Sequence, residues 1–298
     1  IGSFISIHNM AAWMIDRFGT EEQRQTWLPK LCSMELIAAY CLTEPDAGSD
    51  AASLKTRAEL DGNGWKLNGT KSFISGGGFS DLYLAMVRTG GEGAGGVSAI
   101  LVENGTPGLS FGANERKMGW KAHPTAQVQF DDCKVPADHL LGEEGKGFRY
   151  AMAGLDGGRL NIAASALGAA QAALDKALGY ARERKAFGKP IADLQSLQFK
   201  LADMETELQA ARVFLYHAAS KLDAGTRDAT KFCAMAKRFV TDVAFKAANE
   251  ALQIHGGYGY LVDFGLEKIV RDLRVHQILE GTNEIMRVIV ARHLLAER

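Results

Sequence analysis

A single glutamate, Glu280, lies where the sequence changes from one element to the next. It ends the largely apolar segment 275–279 and is followed at once by Gly281 and Thr282. A carboxylate at such a junction is partly removed from water and lies close to free backbone N–H groups, which suits a catalytic base. A solvated helix end is the common alternative for a glutamate in this position. Proton abstraction by Glu280 is therefore a hypothesis that other motifs of the chain must support.

Three further strings contain residues that could contact a polar or flat ligand. Residues 41–50 (CLTEPDAGSD) place hydroxyls, glycine and a proline turn after an apolar strand, and residues 73–78 (FISGGG) place an aromatic ring before a glycine run. Residues 182–187 (RERKAF) are a cationic cluster at a helix end, which suits phosphate groups. A plain turn, the core of a hairpin and a solvated face are the respective alternatives. His255, before two glycines, is typical of a packed histidine rather than a metal ligand.

The second half of the chain has the composition and periodicity of long helices. From Leu155 onward it is rich in Ala, Leu, Lys and Glu, and Pro190 is its only proline. Residues 194–222 carry apolar side chains at alternating steps of three and four. Helices are also predicted near 155–180, 228–254 and 266–273. Another is predicted after Thr282, a candidate N-cap, with an apolar face of Ile285, Val288, Ile289 and Leu295. These elements predict a C-terminal four-helix bundle.

Residues 37–145 have the glycine clusters and short apolar runs of a β-domain, with strands predicted over 81–88, 97–103 and 127–135. A hairpin is predicted that turns at Asn68-Gly69, since Asn-Gly readily adopts the positive φ angles of a type I′ turn. Residues 4–31 are helical in periodicity, with Pro29 near the end. The predicted fold class is α+β, with a helical N-terminal part, a middle β-barrel or sandwich and a C-terminal helical bundle.

The composition is typical of an ordinary soluble enzyme, with 298 residues, 47% of them hydrophobic, and a net charge of −1. No long run of Lys and Arg favours a nucleic-acid or membrane-surface partner. Four widely spaced cysteines (Cys32, Cys41, Cys133 and Cys233) are predicted to be small core residues, with no disulfide frame and no metal site. No segment has the length of a membrane span or the pattern of a signal peptide, so we expect no membrane insertion.

Five strings together resemble the acyl-CoA dehydrogenase family over essentially the whole chain. They are residues 41–50 (CLTEPDAGSD), 73–75 (FIS), 182–188 (RERKAFG), 253–259 (QIHGGYG) and 271–284 (RDLRVHQILEGTNE), in the family's order and approximate spacing. The resemblance implies the family's fold, an acyl-CoA substrate and FAD as cofactor. It also implies that the chain begins inside the N-terminal domain. Residues 1–36 are then the remainder of that domain, 37–145 the middle domain and 146–298 the C-terminal domain.

The resemblance implies a set of FAD contacts. Phe73 is expected to pack near the flavin ring and Ser75 to hydrogen-bond to its reactive edge, where other members often carry Trp and Thr. The Arg184 region is expected to meet the FAD of one site, which the segment 253–257 reaches from a neighbouring subunit, in a homotetramer built as a dimer of dimers. The implied FAD-binding residues are Tyr40, Leu42, Thr43, Gly48, Ser49, Phe73, Ile74, Ser75, Arg184, Phe187, Leu194, Gln195, Gln253, Ile254, His255, Gly256, Gly257, Thr282, Asn283 and Glu284.

The resemblance also implies the reaction. Glu280 would take the α-proton of the acyl-CoA while the β-hydrogen leaves as hydride, and burial beside an acyl chain should raise the affinity of Glu280 for a proton. The backbone N–H of this glutamate and a hydroxyl of FAD would hold the thioester oxygen. Some relatives carry the base immediately before Arg159, where this chain has Gly158. The implied acyl-CoA contacts are Ser49, Asp156, Gly157, Gly158, Arg159, Gly281 and Arg292.

Within the family, three strings are most similar to members that oxidise isobutyryl-CoA. They are residues 4–16 (FISIHNMAAWMID), 155–164 (LDGGRLNIAA) and 255–261 (HGGYGYL). We therefore expect conversion of isobutyryl-CoA to methacrylyl-CoA in valine breakdown, with electrons passed to electron-transferring flavoprotein. The expected location is the cytoplasm of a bacterium or the mitochondrial matrix of a eukaryote. Another short-chain substrate, an oxygen-using acyl-CoA oxidase and a flavin-free helical scaffold remain the alternatives.

Overall fold

A computed structural model describes residues 2–296, which form two compact units. The first unit comprises the chain up to Lys117 together with Lys121–Gly158, and the second comprises Met118–Trp120 together with the chain from Arg159 onward. The three-domain division at residues 36 and 145 stays a prediction. Within residues 2–296, no helix combines the length and the apolar character that a membrane crossing requires. The same range contains no group of His, Cys, Asp and Glu side chains arranged to hold a metal ion.

The first unit begins with two helices, α1 (Gly2–Phe18) and α2 (Glu21–Cys32), where the periodicity predicts one helical stretch. The break falls at Thr20, because its hydroxyl accepts a hydrogen bond from the Gln23 N–H and the Gln23 side chain accepts one from the Thr20 N–H, at 3.2 and 3.1 Å. This reciprocal pair is a capping box. The Gln23 amide also donates to the backbone oxygens of Asp138 and Leu140, so the cap fastens α2 to the β-strand region.

The strands of this unit form one sheet in the order β6-β7-β3-β2-β4-β5-β8, with β1 parallel to β4. Three predicted strands are confirmed as β4, β5 and β7. The strands are β1 (Ala38–Cys41), β2 (Arg57–Asp61), β3 (Gly64–Ser75), β4 (Leu82–Arg88), β5 (Val97–Glu103), β6 (Leu109–Phe111), β7 (Thr125–Pro136) and β8 (Leu140–Leu141). Strands β3 and β7 share one apolar core with β4 and β5, so the sheet curls around it. The other face of β4 and β5 packs against α1 and α2.

The predicted hairpin turn at Asn68-Gly69 is wrong. Strand β3 runs straight through these residues, and the chain reverses earlier, between Asp61 and Gly64. Asn68 and Gly69 instead form an irregularity in the β3–β7 pairing, where the Asn68 side chain exchanges hydrogen bonds with Asp132 at 3.0 and 2.8 Å. Glycine is needed because φ is +146° and a Cβ atom would lie 2.6–2.8 Å from Thr56. The Asn-Gly signal therefore marks a close approach of two strands, not a turn.

The second unit is a helical bundle that confirms the predicted helices to within a few residues, apart from an earlier start of the first. Its helices are α3 (Gly147–Glu183), which begins in the first unit, α4 (Gln195–Asp223), α5 (Ala229–His255), α6 (Leu266–Arg274) and α7 (Asn283–Ala296). A short hairpin, β9 (Lys185–Ala186) and β10 (Lys189–Pro190), connects α3 to α4. The buried face of α4 is Met204, Leu208, Ala211, Leu215 and Ala218, as its periodicity predicts.

Two predictions of burial are wrong. On α7, Val288 and Leu295 are 40% and 82% exposed, and the buried side chains are Asn283 and Met286. The helix is turned so that its polar first residue, Asn283, faces α5, where it finds hydrogen-bond partners. Cys32 is exposed because it ends α2, whereas Cys41, Cys133 and Cys233 are buried as predicted.

Candidate active site

Glu280 lies in a turn between the short 3-10 segment Val275–Gln277 and helix α7, as the sequence predicts. The predicted N-cap is confirmed, because the Thr282 hydroxyl accepts a hydrogen bond from the Ile285 N–H at 3.3 Å. Glu280 has φ of +52° and Gly281 has φ of +89°. Left-handed backbone at a non-glycine residue is strained and persists only where the surrounding structure enforces it. Both carboxylate oxygens of Glu280 are buried, so Glu280 is not a solvated helix end.

Two buried cations face the backbone of this turn. The Arg159 Nε on α3 lies 3.5 Å from the Glu280 carbonyl oxygen, and the Lys237 Nζ on α5 donates to the Gly281 carbonyl oxygen at 2.8 Å. Lys237 is 0% exposed and Arg159 is 4% exposed. Successive carbonyl groups of the turn therefore point to a guanidinium and an ammonium group, which fixes both peptide planes.

Asn283 locks the start of α7 to α5. Its side-chain oxygen accepts from Lys237 Nζ at 3.0 Å, and its Nδ2 donates to the Thr241 hydroxyl at 3.0 Å and the Asp242 carboxylate at 2.8 Å. Gly281 permits the tight turn, because a Cβ atom there would lie 2.6 Å from the Met286 Cε. Burial of these polar groups is stable because each has partners. The turn that carries Glu280 is thus held in place by contacts with α3 and α5.

A second group of predicted site residues meets in a cleft of about 400 Å³ on the second unit. Arg184, Ile254, His255, Gly256 and Gly257 line it. The Arg184 guanidinium lies 5.3 Å from the centre of the Tyr258 ring, and an added Cβ at either glycine would meet no atom within 4 Å. The cleft offers a cation, aromatic rings and bare backbone to a ligand.

This cleft brings together two sets of residues that the family resemblance divides between subunits. Because Arg184 and Gly256 line the same cleft of one chain, a ligand held there touches both sets at once. His255 is packed as predicted, with its ring stacked on Tyr180 and its Nδ1 2.8 Å from the Ala251 oxygen. Gln253, Leu194, Gln195 and the 91%-exposed Phe187 lie outside the residues that line the cleft, and Arg292 is exposed on α7.

The first unit positions the 41–50 loop through a buried ion pair. The Lys71 Nζ on β3 donates to the Glu44 carboxylate at 2.8 Å and to the Leu42 oxygen at 3.1 Å, and Lys71 is 0% exposed. Glu44 also accepts from the backbone N–H groups of Lys55 and Thr56. Burial opposes ionisation of Glu44, but the Lys71 charge and these hydrogen bonds outweigh it and lower the pKa of Glu44.

Strand β3 presents the predicted aromatic residue outward. Phe73 has φ of +58° and is 67% exposed, at the irregularity where the β3–β7 register shifts between Lys71 and Ile74. The Ser72 N–H donates to the Thr43 oxygen at 2.8 Å, which ties this segment to the 41–50 loop. Tyr40, Leu42 and Ile74 are buried, while Gly48 and Ser49 lie in the loop itself. Asp156, in the part of α3 that belongs to this unit, is 8% exposed.

Sequence reasoning missed the buried cations Lys71 and Lys237. Lys237 falls on the apolar face of α5, four residues after Cys233 and three before Val240, where an apolar residue is expected. That conflict with the helical pattern was the available signal. Lys71 gives a weaker signal, since a lysine on a strand usually faces solvent.

Three family models match consecutive parts of the chain. They are the acyl-CoA dehydrogenase N-terminal domain over residues 1–35, the middle domain over residues 39–133 and the C-terminal domain over residues 145–295. The chain belongs to the acyl-CoA dehydrogenase family. It is therefore an oxidoreductase that acts on acyl-CoA, and the predicted resemblance is confirmed.

Individual members of the acyl-CoA dehydrogenase family are similar over nearly the whole chain. The mitochondrial isobutyryl-CoA dehydrogenases of Bos taurus and Dictyostelium discoideum are each 54% identical, over 99% and 98% of this chain and 71% and 70% of their own lengths. The butyryl-CoA dehydrogenase structure from Megasphaera elsdenii is 43% identical with a TM-score of 0.95, over 99% of this chain and 76% of that one. The predicted acyl-CoA dehydrogenase fold is thereby confirmed.

Two further structures bear on cofactor and partner. A chain from a structure described as the electron transferring flavoprotein of Acidaminococcus fermentans is 44% identical with a TM-score of 0.97, over 99% of this chain and 78% of that one. A structure of PigA with FAD and proline is 32% identical with a TM-score of 0.95, over 99% of this chain and 78% of that one.

Acyl-CoA dehydrogenases depend on FAD, and surfaces of this chain fit parts of that cofactor. The Arg184 cleft joins a guanidinium group to glycine backbone that a diphosphate can approach. The exposed Phe73 ring offers a flat apolar surface. The cofactor prediction therefore agrees with the residues present.

Proposed function

We propose that this acyl-CoA dehydrogenase converts isobutyryl-CoA to methacrylyl-CoA in valine breakdown, with Glu280 as the base. The observation that carries the catalytic part is the buried Glu280 carboxylate, in a strained turn held by Arg159 and Lys237. The substrate part is supported by 54% identity to isobutyryl-CoA dehydrogenases of two organisms. The match to a chain of an electron-transferring flavoprotein structure supports such a protein as electron acceptor.

In this proposal Glu280 takes the single α-proton of isobutyryl-CoA. A thioester α-carbon is a weak acid, so the reaction needs an aligned carboxylate together with donors at the carbonyl oxygen, where enolate charge develops. The backbone N–H of Glu280 is one such donor. FAD, when bound, accepts the hydride that leaves one methyl group. The α,β double bond then forms from the electrons of the broken α-C–H bond.

We assign the remaining predicted residues to three roles. The flavin is contacted by residues of the first unit, namely Tyr40, Leu42, Thr43, Gly48, Ser49 and Phe73–Ser75. The rest of FAD is contacted by Arg184, Phe187, Leu194, Gln195 and residues 253–257. Because Arg184 and Gly256 line one cleft, we propose that a single chain supplies both the Arg184 group and the 253–257 segment to the same FAD. Thr282–Glu284 also contact FAD, while Ser49, Asp156–Arg159, Gly281 and Arg292 contact acyl-CoA.

A homotetramer is part of the proposal. Large apolar side chains on the second unit are strongly exposed in one chain, among them Phe187 (91%), Leu295 (82%), Val213 (69%) and Tyr216 (68%). Apolar surface of this kind is typical of protein interfaces.

The bovine and Dictyostelium relatives are mitochondrial, so a mitochondrial matrix or a bacterial cytoplasm is the proposed location.

Anaerobic mixing of the flavoprotein with a panel of acyl-CoAs tests the substrate. We expect isobutyryl-CoA to bleach the flavin absorbance at least about tenfold faster than isovaleryl-CoA, since one methylene group changes discrimination by roughly 10–200-fold. We also expect it to react faster than its straight-chain isomer butyryl-CoA, whose acyl chain differs in shape. Faster bleaching by another thioester would identify that thioester as the substrate and leave the family assignment unchanged. Rapid oxygen consumption without an added acceptor would identify an oxidase, and a colourless protein that binds no flavin would indicate a scaffold.

Replacing Arg184 with Ala is expected to lower FAD affinity by about tenfold or more, because a charge-assisted hydrogen bond contributes roughly 1.5–3 kcal/mol. The ratio of flavin to protein after gel filtration measures this, and sedimentation velocity reports whether the oligomer weakens with it. Arg182→Ala is the matched control, since Arg182 is exposed and lies outside the residues that line the cleft. Equal flavin content in both variants would contradict the placement of FAD at Arg184.

A further inference from the structure

Lys237 is an ammonium group sealed inside the helical unit. Its helix α5 is apolar around it, with Cys233, Ala236 and Val240 all buried, and the Lys237 side chain is 0% exposed. Burying a charge in this way is costly unless the charge is paired or hydrogen-bonded. The Nζ donates to the Gly281 carbonyl oxygen at 2.8 Å and to the Asn283 side-chain oxygen at 3.0 Å, both in the turn that follows Glu280.

Charged groups in the turn and on three helices act on the charge of Lys237. Glu280 in the turn, Asp242 on α5 and Glu284 on α7 favour its protonated form, while Arg159 on α3 opposes it. Burial lowers the pKa of Lys237 to about 8, so the side chain is mainly charged at neutral pH. His276 lies close by, but burial lowers its pKa to about 4, and it is therefore neutral over the same range.

The turn itself needs external support. Glu280 and Gly281 have consecutive positive φ angles, and the two carbonyl groups of this strained pair face Arg159 and Lys237. Without the Lys237 donor, the part-buried Gly281 oxygen and the buried Asn283 oxygen lose a charged partner, and the turn can relax toward an unstrained backbone. A displacement of about 1 Å in a catalytic group is enough to lower a rate on the order of 100-fold.

We propose that Lys237 is a positioning residue for proton abstraction, which holds the 280–283 turn in place and keeps Glu280 ionised before substrate binds. The hydrogen bonds to Gly281 and Asn283 perform the first task, and the charge interaction of Lys237 with the Glu280 carboxylate performs the second. This inference rests on the proposed role of Glu280 as the base.

Three substitutions separate the two tasks. Lys237→Gln keeps an N–H donor and removes the charge, Lys237→Met removes both, and Lys237→Arg keeps the charge in a different shape. Lys246→Met is the matched control, because Lys246 is on the same helix but pairs with Glu207 at the surface. Flavin content and the thermal unfolding midpoint of each variant show whether it is folded.

The decisive measurement is the rate of flavin reduction by isobutyryl-CoA as a function of pH. We expect the acidic limb of the profile to move up by about one pH unit in Lys237→Gln and Lys237→Met, and to return toward the original in Lys237→Arg. The plateau rate should fall about tenfold or more in Lys237→Met and less in Lys237→Gln. The proposal would be overturned if flavin-loaded Lys237→Gln and Lys237→Met had the same acidic limb as the unmodified enzyme.

A measurement on the unmodified enzyme, which needs no turnover, tests the proposal even if the Lys237 variants do not fold. Infrared titration of the flavin-loaded protein without substrate, compared with Glu280→Gln, isolates the Glu280 carboxyl signal. We expect Glu280 to be ionised at neutral pH in the unmodified enzyme, and a protonated Glu280 there would refute the role of the Lys237 charge. Full activity of Glu280→Gln would instead refute the base assignment, so failure of the two proposals can be told apart.

Discussion

Replacing Glu280 with Gln is expected to slow flavin reduction by acyl-CoA by roughly 100- to 10,000-fold, the usual contribution of a general base. The amide cannot accept the α-proton, yet it matches the carboxylate in size and leaves the left-handed turn unchanged. Flavin content and thermal stability should therefore stay near those of the unmodified enzyme. Stopped-flow bleaching of the flavin under anaerobic conditions measures the loss.

The control for this variant is Glu207→Gln, at a carboxylate on α4 that pairs with Lys246 on the surface. It should bleach at the normal rate. Two results would contradict the assignment of Glu280 as the base. If Glu280→Gln reacts at the normal rate, another group removes the proton. If it loses flavin as well as activity, Glu280 acts in folding or cofactor binding rather than as the base.

Replacing Lys71 with Met is expected to destabilise the protein by about 3–5 kcal/mol, because it leaves the Glu44 carboxylate buried without its cation. Glu44 is 6% exposed and Lys71 is 0% exposed, so water cannot readily replace the lost partner. The Leu42 carbonyl loses the same donor, and we expect FAD to dissociate more easily from the 41–50 loop. Denaturant unfolding and flavin content measure the two effects.

Lys66→Met is the matched control on the same strand, since Lys66 lies 3.7 Å from Asp132 in an exposed pair whose expected contribution is below about 1 kcal/mol. A double variant, Lys71→Met with Glu44→Leu, should recover much of the lost stability by removing the orphaned charge. The pKa of Glu44 is lowered in the fold, so the unmodified protein should lose this stabilisation as pH falls below the ordinary value of 4.5. A Lys71→Met loss no larger than that of Lys66→Met would contradict this account.

Local patterns in the sequence predict elements well where local physics decides. The apolar run 97–103 is strand β5 with the same bounds, and the helix predicted over 228–254 is α5 over Ala229–His255. Apolar periodicity and a glycine stop are local signals. The position of Glu280 between two elements is of the same kind, which explains why it could be found from the sequence.

Features that depend on distant partners could not be predicted in this way. Asn68-Gly69 has the composition of a turn, but its conformation is decided by Asp132 and Thr56 on other parts of the chain. Lys237 owes its burial to the Gly281 carbonyl 44 residues away, and no periodicity reports that distance. Residue type alone predicts Val288 and Leu295 on the apolar face of α7, whereas the polar partners of Asn283 set the rotation of the helix.

The path of the chain through Met118–Trp120 limits how this enzyme can be recombined with its relatives. The Trp120 N–H donates to the Asp272 carboxylate at 2.6 Å, and Arg271 donates to the Met118 oxygen at 2.8 Å. Gly119 lies so close to α6 that a Cβ atom would be 2.4 Å from the Arg271 oxygen. A chimera joined near residue 145 therefore inherits these three residues from one parent and α6 from the other. Crossovers that respect domain boundaries along the sequence would still mismatch this contact, unless both parents carry glycine at the position of Gly119.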